Sequence, residues 1–357
     1  MTTFFKNLAN NVKTNVKSQI AGPRHDGFVK AQEDNLFTKT DPEIDGEECL
    51  HDCEGCTIRY PRKWSIDEES KMYGFVDAWS THLIVATGKA DWVRDVADEK
   101  GSVMEAVENC KGQPTNGKMK LSASNMPMPN HATDHSEGTT VLLLPAFTYV
   151  DNVTPTSVPD LLSSVVSNSP TNITPLSPIP VSYPDPLPSD LRLRACNHTA
   201  LILLCSQGTR DARCGQSAPL LKRELERHLR PLGLYRDLDD NRPGGVGIYF
   251  ISHVGGHKFS ANMLIYRRAD AGRDVVTVHD TDGDSKAETA TNGVETNGVG
   301  KSTTGGLGEA SQCIWLARVR PEDCENIVRY TVGQGKVLKP GTQLRGGFDR
   351  ERQLTSW

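Results

Sequence analysis

Residues 199–216 read TALILLCSQGTRDARCGQ. The run Thr199–Ser206, apolar and β-branched, is the pattern of a buried strand running into a loop. Ser217–Leu232 then reads as a helix. Leu221, Leu225 and Leu229 lie four apart on one face, Ser217 offers an N-cap and Gly233 a stop. Gly247–Ser252 (GIYFIS) and Ala261–Tyr266 (ANMLIY) are two further strands separated by a glycine turn. Ile314–Val319 adds another strand, and Pro321–Gly333 a helix with proline near its first position. The order strand, helix, strand, strand, strand, helix is that of a thioredoxin-like α/β domain.

Working outward, Thr81–Gly88 (THLIVATG) reads as a buried strand. Asp91–Glu108 reads as a helix interrupted by Gly101, and Val141–Val150 (VLLLPAFTYV) as a second strong strand. Residues 109–139 are polar and read as a loop insertion. Residues 151–190 hold nine of the 21 prolines, a composition that predicts an extended, solvated linker. The expected fold class is therefore α/β: two thioredoxin-like α/β units joined by a Pro/Ser-rich linker, with low-complexity insertions. The expected divisions are a basic tail (1–30), an N-terminal α/β domain (31–150) and the linker (151–190). A C-terminal domain (191–345) with a disordered insertion at 269–311 and a C-terminal tail (346–357) follow.

Composition narrows the function. The 357 residues carry a net charge of −5, which leaves no basic excess for a nucleic-acid binder that neutralises phosphates. The longest apolar runs are far too short to span a membrane. Nine cysteines, an odd number, follow a start without the apolar core of a secretory signal. The expected compartment is reducing, with clustered cysteines as metal ligands or redox groups. The acid-poor, basic residues 1–25 leave a mitochondrial presequence as the alternative to a frayed tail.

Two pairs of side chains carry the chemistry. Cys205 and Cys214 have eight residues between them, and His253 and His257 have three, in HVGGH. Cys205 sits where a strand ends, Cys214 just before a helix, and His253 after another strand. Ligand sites collect at the carboxyl ends of strands in α/β sheets, so the pairs can converge. Two thiolates and two imidazoles complete a four-ligand set, which zinc accepts. The same set on a [2Fe–2S] cluster is that of Rieske centres, although the interleaved Rieske spacing is absent here.

The segments LILLCSQGTRDARCG, GIYFISHVGGHKFSANMLIY and CIWLARVRPEDCENIV resemble the sucrase/ferredoxin-like family, thioredoxin-like ferredoxins of fungi and plants. VATGKADW (Val85–Trp92) resembles that family's N-terminal domain. The resemblance implies that Cys205, Cys214, His253 and His257 bind a redox-active [2Fe–2S] cluster, with both histidines on one iron. It implies one-electron transfer to an unidentified donor or acceptor rather than catalysis. Lys258 and Arg213 are candidate charges around it. Neutral imidazoles in place of thiolates raise the potential. They also imply coupling of reduction to protons and lability at low pH. The terminal Trp357 resembles the signal read by the cytosolic iron–sulfur targeting machinery, which implies a cytoplasmic protein. A zinc-stabilised interaction module on the same four ligands is the competing reading, and visible colour separates the two.

Other signals carry less. Cys49, Cys53 and Cys56 are spaced C-x₃-C-x₂-C. They read as a second metal site, with His51 or Cys110 completing it, or as a reactive thiol cluster. Cys196, Cys313 and Cys324 read as small core residues, and His198 and His228 lack partners at ligand spacing. Gly300-Lys301-Ser302 lacks the rest of a phosphate loop. No C-x-x-C opens a helix for a thiol oxidoreductase, and no carboxylate pair marks a glycosidase.

Overall fold

The computed structural model describes residues 24–25, 27–129, 132, 135–177, 181–271 and 308–357. The expectations for residues 1–23, for most of the 269–311 insertion and for Gly300–Ser302 lie outside the described residues.

Elements are numbered along the chain. β1 (Phe28–Lys30) precedes a first run of β2 (Thr81–Ala86), α1 (Val103–Asn109), β3 (Met119–Ser124), β4 (Thr139–Leu144) and β5 (Thr148–Val153). A helical segment at 155–168 and a short β6 (Arg192–Ala195) close that half. The second run is β7 (Ala200–Cys205), α2 (Ala212–Leu229), β8 (Val246–Ile251), β9 (Met263–Arg268) and β10 (Ala310–Leu316). Helical turns at 321–332 follow, and β11 (Leu344–Asp349) and β12 (Leu354–Thr355) end the chain.

Both halves wind the same way. β7 pairs with β8 in parallel and with β9 antiparallel, and β10 lies antiparallel beyond β9. In the first half β2 pairs with β3 in parallel and β4 antiparallel, and β5 lies antiparallel beyond β4. The halves join where β3 meets β8 antiparallel, with Ser124 opposite Ile251. One mixed sheet therefore runs β1-β12-β11-β10-β9-β7-β8-β3-β2-β4-β5-β6.

Strand alternation divides the core into three layers. Ile202 and Leu204 face Leu221, Leu225 and Leu229 of α2. Leu83 and Val85 face α1 and the 155–168 segment. The opposite faces, Ile84 and Ala86 from β2 and Leu201 and Leu203 from β7, share a central cluster with Trp79 and Trp315. The sheet is thus bent so that its two halves bury a common interior, crossed by hydrogen bonds from His82 to Tyr266 at 3.1 Å and from Tyr149 to Tyr249 at 3.2 Å.

Several expectations need correction. The first part of the 151–190 stretch, to residue 172, is packed rather than a solvated linker. Val158, Leu161, Leu162, Val165 and Val166 are buried against β2 and α1, because VPDLLSSVV carries a helical apolar stripe that the average composition hides. Pro155 and Pro159 sit where helical turns begin and no backbone donor is missed. The 109–139 stretch contains β3, the strand that joins the halves; its Ser122 and Ser124 are buried, with Ser122 bonded to His82. VLLLPAFTYV is a hairpin, turning at Pro145–Phe147. The helix expected from Asp91 begins only at Val103, where Ser102 caps it after the positive-φ Gly101. Residues 346–357 are not a free tail, since β11 and β12 lie inside the sheet and Phe348 and Ser356 are fully buried. Phe28–Lys30 likewise leaves the expected basic tail to pair with β12.

Candidate metal centre

Cys205 is the last residue of β7 and is 1% exposed. The chain then folds back so tightly that a Cβ on Gly215 would come within 2.8 Å of the Gly208 Cα. That approach brings α2 back beside the strand it follows. α2 starts earlier than its leucine stripe suggests. Asp211 is the N-cap and accepts from the Arg213 backbone N–H at 3.0 Å, while Ser217 lies buried inside the helix. Cys214 is therefore in the first helical turn rather than before it, where unpaired backbone N–H groups and the helix dipole favour an anion.

His253 and His257 leave β8 in the turn His253–His257. Gly255 and Gly256 adopt φ of +88° and +66°. At Gly256 any Cβ would meet the Arg345 guanidinium at 2.6 Å, so this turn needs glycine for both conformation and space. The two imidazoles lie 5.2 Å apart, centroid to centroid. Neither Nδ1, though buried, makes a hydrogen bond among the described residues. The Nε2 of His257 faces the Asp211 carboxylate at 4.0 Å.

The four side chains predicted as ligands do come to one place. The hydrogen bond from Cys205, then His253 and the Ser260 hydroxyl at 3.3 Å, pull the Cys214 thiol below its ordinary range. Cys205 moves the opposite way, raised by Cys214 and by burial.

The first half forms the other wall. Gln207, buried beside Cys205, donates through Nε2 to the Val93 carbonyl at 2.5 Å and accepts through Oε1 from the His253 backbone at 2.8 Å. Asp91 accepts from Thr209 N at 3.1 Å and Oγ1 at 2.9 Å. VATGKADW thus braces the cysteine loop.

Two cations were missed by sequence reasoning. Arg345, 3% exposed, stacks on Trp315 at 4.3 Å and donates to Gly255 O and Asn262 Oδ1 at 3.0 and 2.8 Å. Lys120 lies 5.5 Å from the rings of both Trp79 and Trp315. Burial pushes their pKa values down to about 10 and about 8, and each feels an opposing pull from Cys205. The expected charges are otherwise engaged, Arg213 with Asp211 at 2.8 Å and Lys258 with Asp67 at 2.9 Å. Nothing in local spacing could reveal Lys120 and Arg345; they arrive from β3 and β11.

The residues fit a dinuclear iron–sulfur group. Two sulfurs, two unpartnered buried imidazole nitrogens and nearby buried positive charge make a suitable donor set. Among the described residues, Cys53, His228 and Glu325 form the one compact trio, with ligand atoms within 4.8 Å of one another. The four residues here do not form so compact a group.

A family model described as sucrase/ferredoxin-like matches residues 72–346. Actin patches distal protein 1 of Saccharomyces cerevisiae is 30% identical over 217 residues, 58% of this chain and 66% of that protein. Altered inheritance of mitochondria protein 32 of Clavispora lusitaniae is 28% identical over 142 residues, 40% of this chain and 33% of that protein. The matches thus span just under two thirds of the first relative and about a third of the second. No solved structure matches the chain. A family model covering most of the chain, including β2, β7, the C-x₈-C loop and the H-x₃-H turn, places this protein in the sucrase/ferredoxin-like family.

Proposed function

We propose that the protein is a one-electron carrier whose Cys205, Cys214, His253 and His257 hold a [2Fe–2S] cluster, in a fold of two thioredoxin-like halves. The observation that carries this reading is the convergence of the four side chains, with two buried imidazole Nδ1 atoms left unpartnered. The cluster, when bound, supplies a reversible one-electron couple with a potential above that of an all-cysteine ferredoxin.

The chain's own residues do the rest. Cys205 and Cys214 would bind the cluster as thiolates. His253 and His257 would bind through Nδ1, the buried nitrogen that each leaves without a partner among the described residues. Asp211 orients the His257 ring from outside the ligand set. Lys120 and Arg345 favour the more negative, reduced state. Gln207 and Asp91 fix the loops and exclude water from the seam.

We assign no catalysis on a separate substrate. The donor and acceptor are proteins of unknown identity. Among the described residues no helix is long and apolar enough to cross a membrane. A cytoplasmic location rests on Trp357 as a signal for the iron–sulfur targeting machinery. That indole is half-buried and lies 4.4 Å from Trp79, so capture by a partner requires it to leave this contact. The relatives named for mitochondrial inheritance keep a mitochondrial location as the alternative.

The test is a visible spectrum of freshly purified, anaerobically handled protein with iron and acid-labile sulfide assayed on the same sample. A red-brown protein with about two irons and two sulfides, bleached by dithionite, is the expected result. A colourless protein with stoichiometric zinc at these four ligands overturns it in favour of a zinc-stabilised module.

A further inference from the structure

The cysteine group at 49–56 finds partners that its sequence neighbourhood does not contain. Residues 47–60 cross the outer face of the second half's helices. Cys53 N donates to Glu322 O at 3.0 Å, Asn326 Nδ2 to His51 O at 2.7 Å, and Lys339 bridges Asp52 and Asp323 at 2.6 and 2.7 Å. This lays Cys53 over the last turn of α2 and the start of the 321–332 segment. Its Sγ is 4.0 Å from the His228 Nε2. With a Glu325 carboxylate oxygen, the three atoms lie within 4.8 Å of one another. His51 and Cys110, the partners expected from sequence, are not in the trio, and His228 does have partners.

We propose that Cys53, His228 and Glu325 form a second metal site, for zinc, that clamps the N-terminal arm onto the helices of the second half. A thiolate, an imidazole and a carboxylate are a borderline-soft set that suits zinc, with water completing a tetrahedron. Binding exchanges the Cys53 thiol proton, released to solvent, for a metal–sulfur bond. The His228 Nε2 faces Arg227 Nη2 at 2.9 Å and Glu224 Oε1 at 3.3 Å, and it is the ring atom that lies closest to Cys53 in the trio.

Arg227 is also the competitor. Its guanidinium donates to Cys53 Sγ at 3.2 Å and to the buried Glu224 at 2.5 Å. The side chain is 46% exposed, so it can swing outward and keep Glu224 while yielding Cys53 to a metal. The site lies on the outer face of the helix layer, away from the central cluster that contains Cys205 and Cys214, and does not depend on what those residues bind.

The experiment is a zinc titration of the full-length protein, with bound zinc, iron and sulfide measured together and unfolding temperature followed. Wild type and Cys205→Ser should each bind one zinc that raises the unfolding temperature. Cys53→Ser and His228→Gln should weaken that zinc by roughly a hundredfold, with iron and sulfide unchanged, by analogy with the sensitivity of metal sites to their ligand shells. Glu325→Gln, which preserves shape, should weaken it about tenfold, and Arg227→Gln should tighten it by removing a competing cation. Zinc binding undiminished in Cys53→Ser and His228→Gln, or no stoichiometric zinc in wild type, overturns the site. Weakening by Arg227→Gln would assign the trio to the guanidinium instead.

Discussion

The ends of β2 and β7 occupy matched places in halves that wind identically, yet only one carries side chains of metal-ligating type. Ala86 closes β2 opposite Ser124, and Cys205 closes β7 opposite Ile251. Two residues beyond those partners stand Met126 and His253. The same strand order brings both pairs to the seam between the halves, so the fold supplies the position and the side chain supplies the chemistry. In the first half the corresponding loop has become a wall. Its Asp91 and the carbonyl of Val93 hold Thr209 and Gln207 of the other half. The largest expected effect follows directly. His253→Met, which installs the first half's residue, should abolish stable iron binding, whereas Met126→His should leave iron content unchanged. Equal iron content in wild type and His253→Met would dissolve the distinction between the two ends.

The next effect tests whether the helical segments of the two halves are equivalent. Leu225 of α2 and Leu161 of the 155–168 segment are both fully buried. Leu161→Ala should cost about 2–5 kcal/mol in chemical denaturation, the usual range for a large-to-small change in a packed core. A cost under about 0.5 kcal/mol, the level of a surface change, would restore the solvated linker that the proline content suggests.

What could be read from the sequence follows the reach of each signal. β7, β8, β9 and α2 were legible because buried strands and a leucine stripe announce themselves within ten residues. The convergence of Cys205, Cys214, His253 and His257 was legible because C-x₈-C and H-x₃-H sit at ends of those elements. β3 was not, since Ser122 and Ser124 look solvent-facing until His82 and the neighbouring loop supply their partners. β11 was not, since Gly346, Gly347 and Asp349 read as a tail. A metal site at Cys53 was legible from the cysteine spacing but its partners were not, because His228 lies 175 residues away and only the packing of the arm brings them together.

A smaller effect separates buried histidines from the proposed ligand histidines. His198, just before β7, is 3% exposed. Burial, then the charge of Arg236, pushes its pKa down to about 4. The unfolded chain takes up this proton near pH 6.5, so the native state is favoured above that pH and loses the advantage as pH falls toward 4. The loss from this group is roughly 3 kcal/mol at full extent. In His198→Asn, unfolding free energy should therefore fall less steeply between pH 6.5 and 4 than in wild type. Parallel pH curves for the two proteins would remove His198 from the account. His82, its counterpart in the shared core from the first half, is likewise held neutral, chiefly by burial.

The smallest effect weighs the two halves as sources of charge. Lys120 comes from the first half and Arg345 from β11 of the second, and both remain cationic at pH 7. Reduction adds one negative charge beside them, so removing either cation should disfavour the reduced state. For a one-electron couple 59 mV corresponds to about 1.4 kcal/mol, so a change on the order of 50 mV is expected from one partly screened buried charge. Lys120→Met and Arg345→Gln should each lower the midpoint potential by that order at pH 7. Lys258→Gln should change it by about a fifth as much, because Lys258 is exposed and already paired with Asp67, where solvent screens its field. If all three variants shift the potential equally, Lys120 and Arg345 have no special standing. If Arg345→Gln alone shifts it, the first half acts as a wall and contributes no tuning charge.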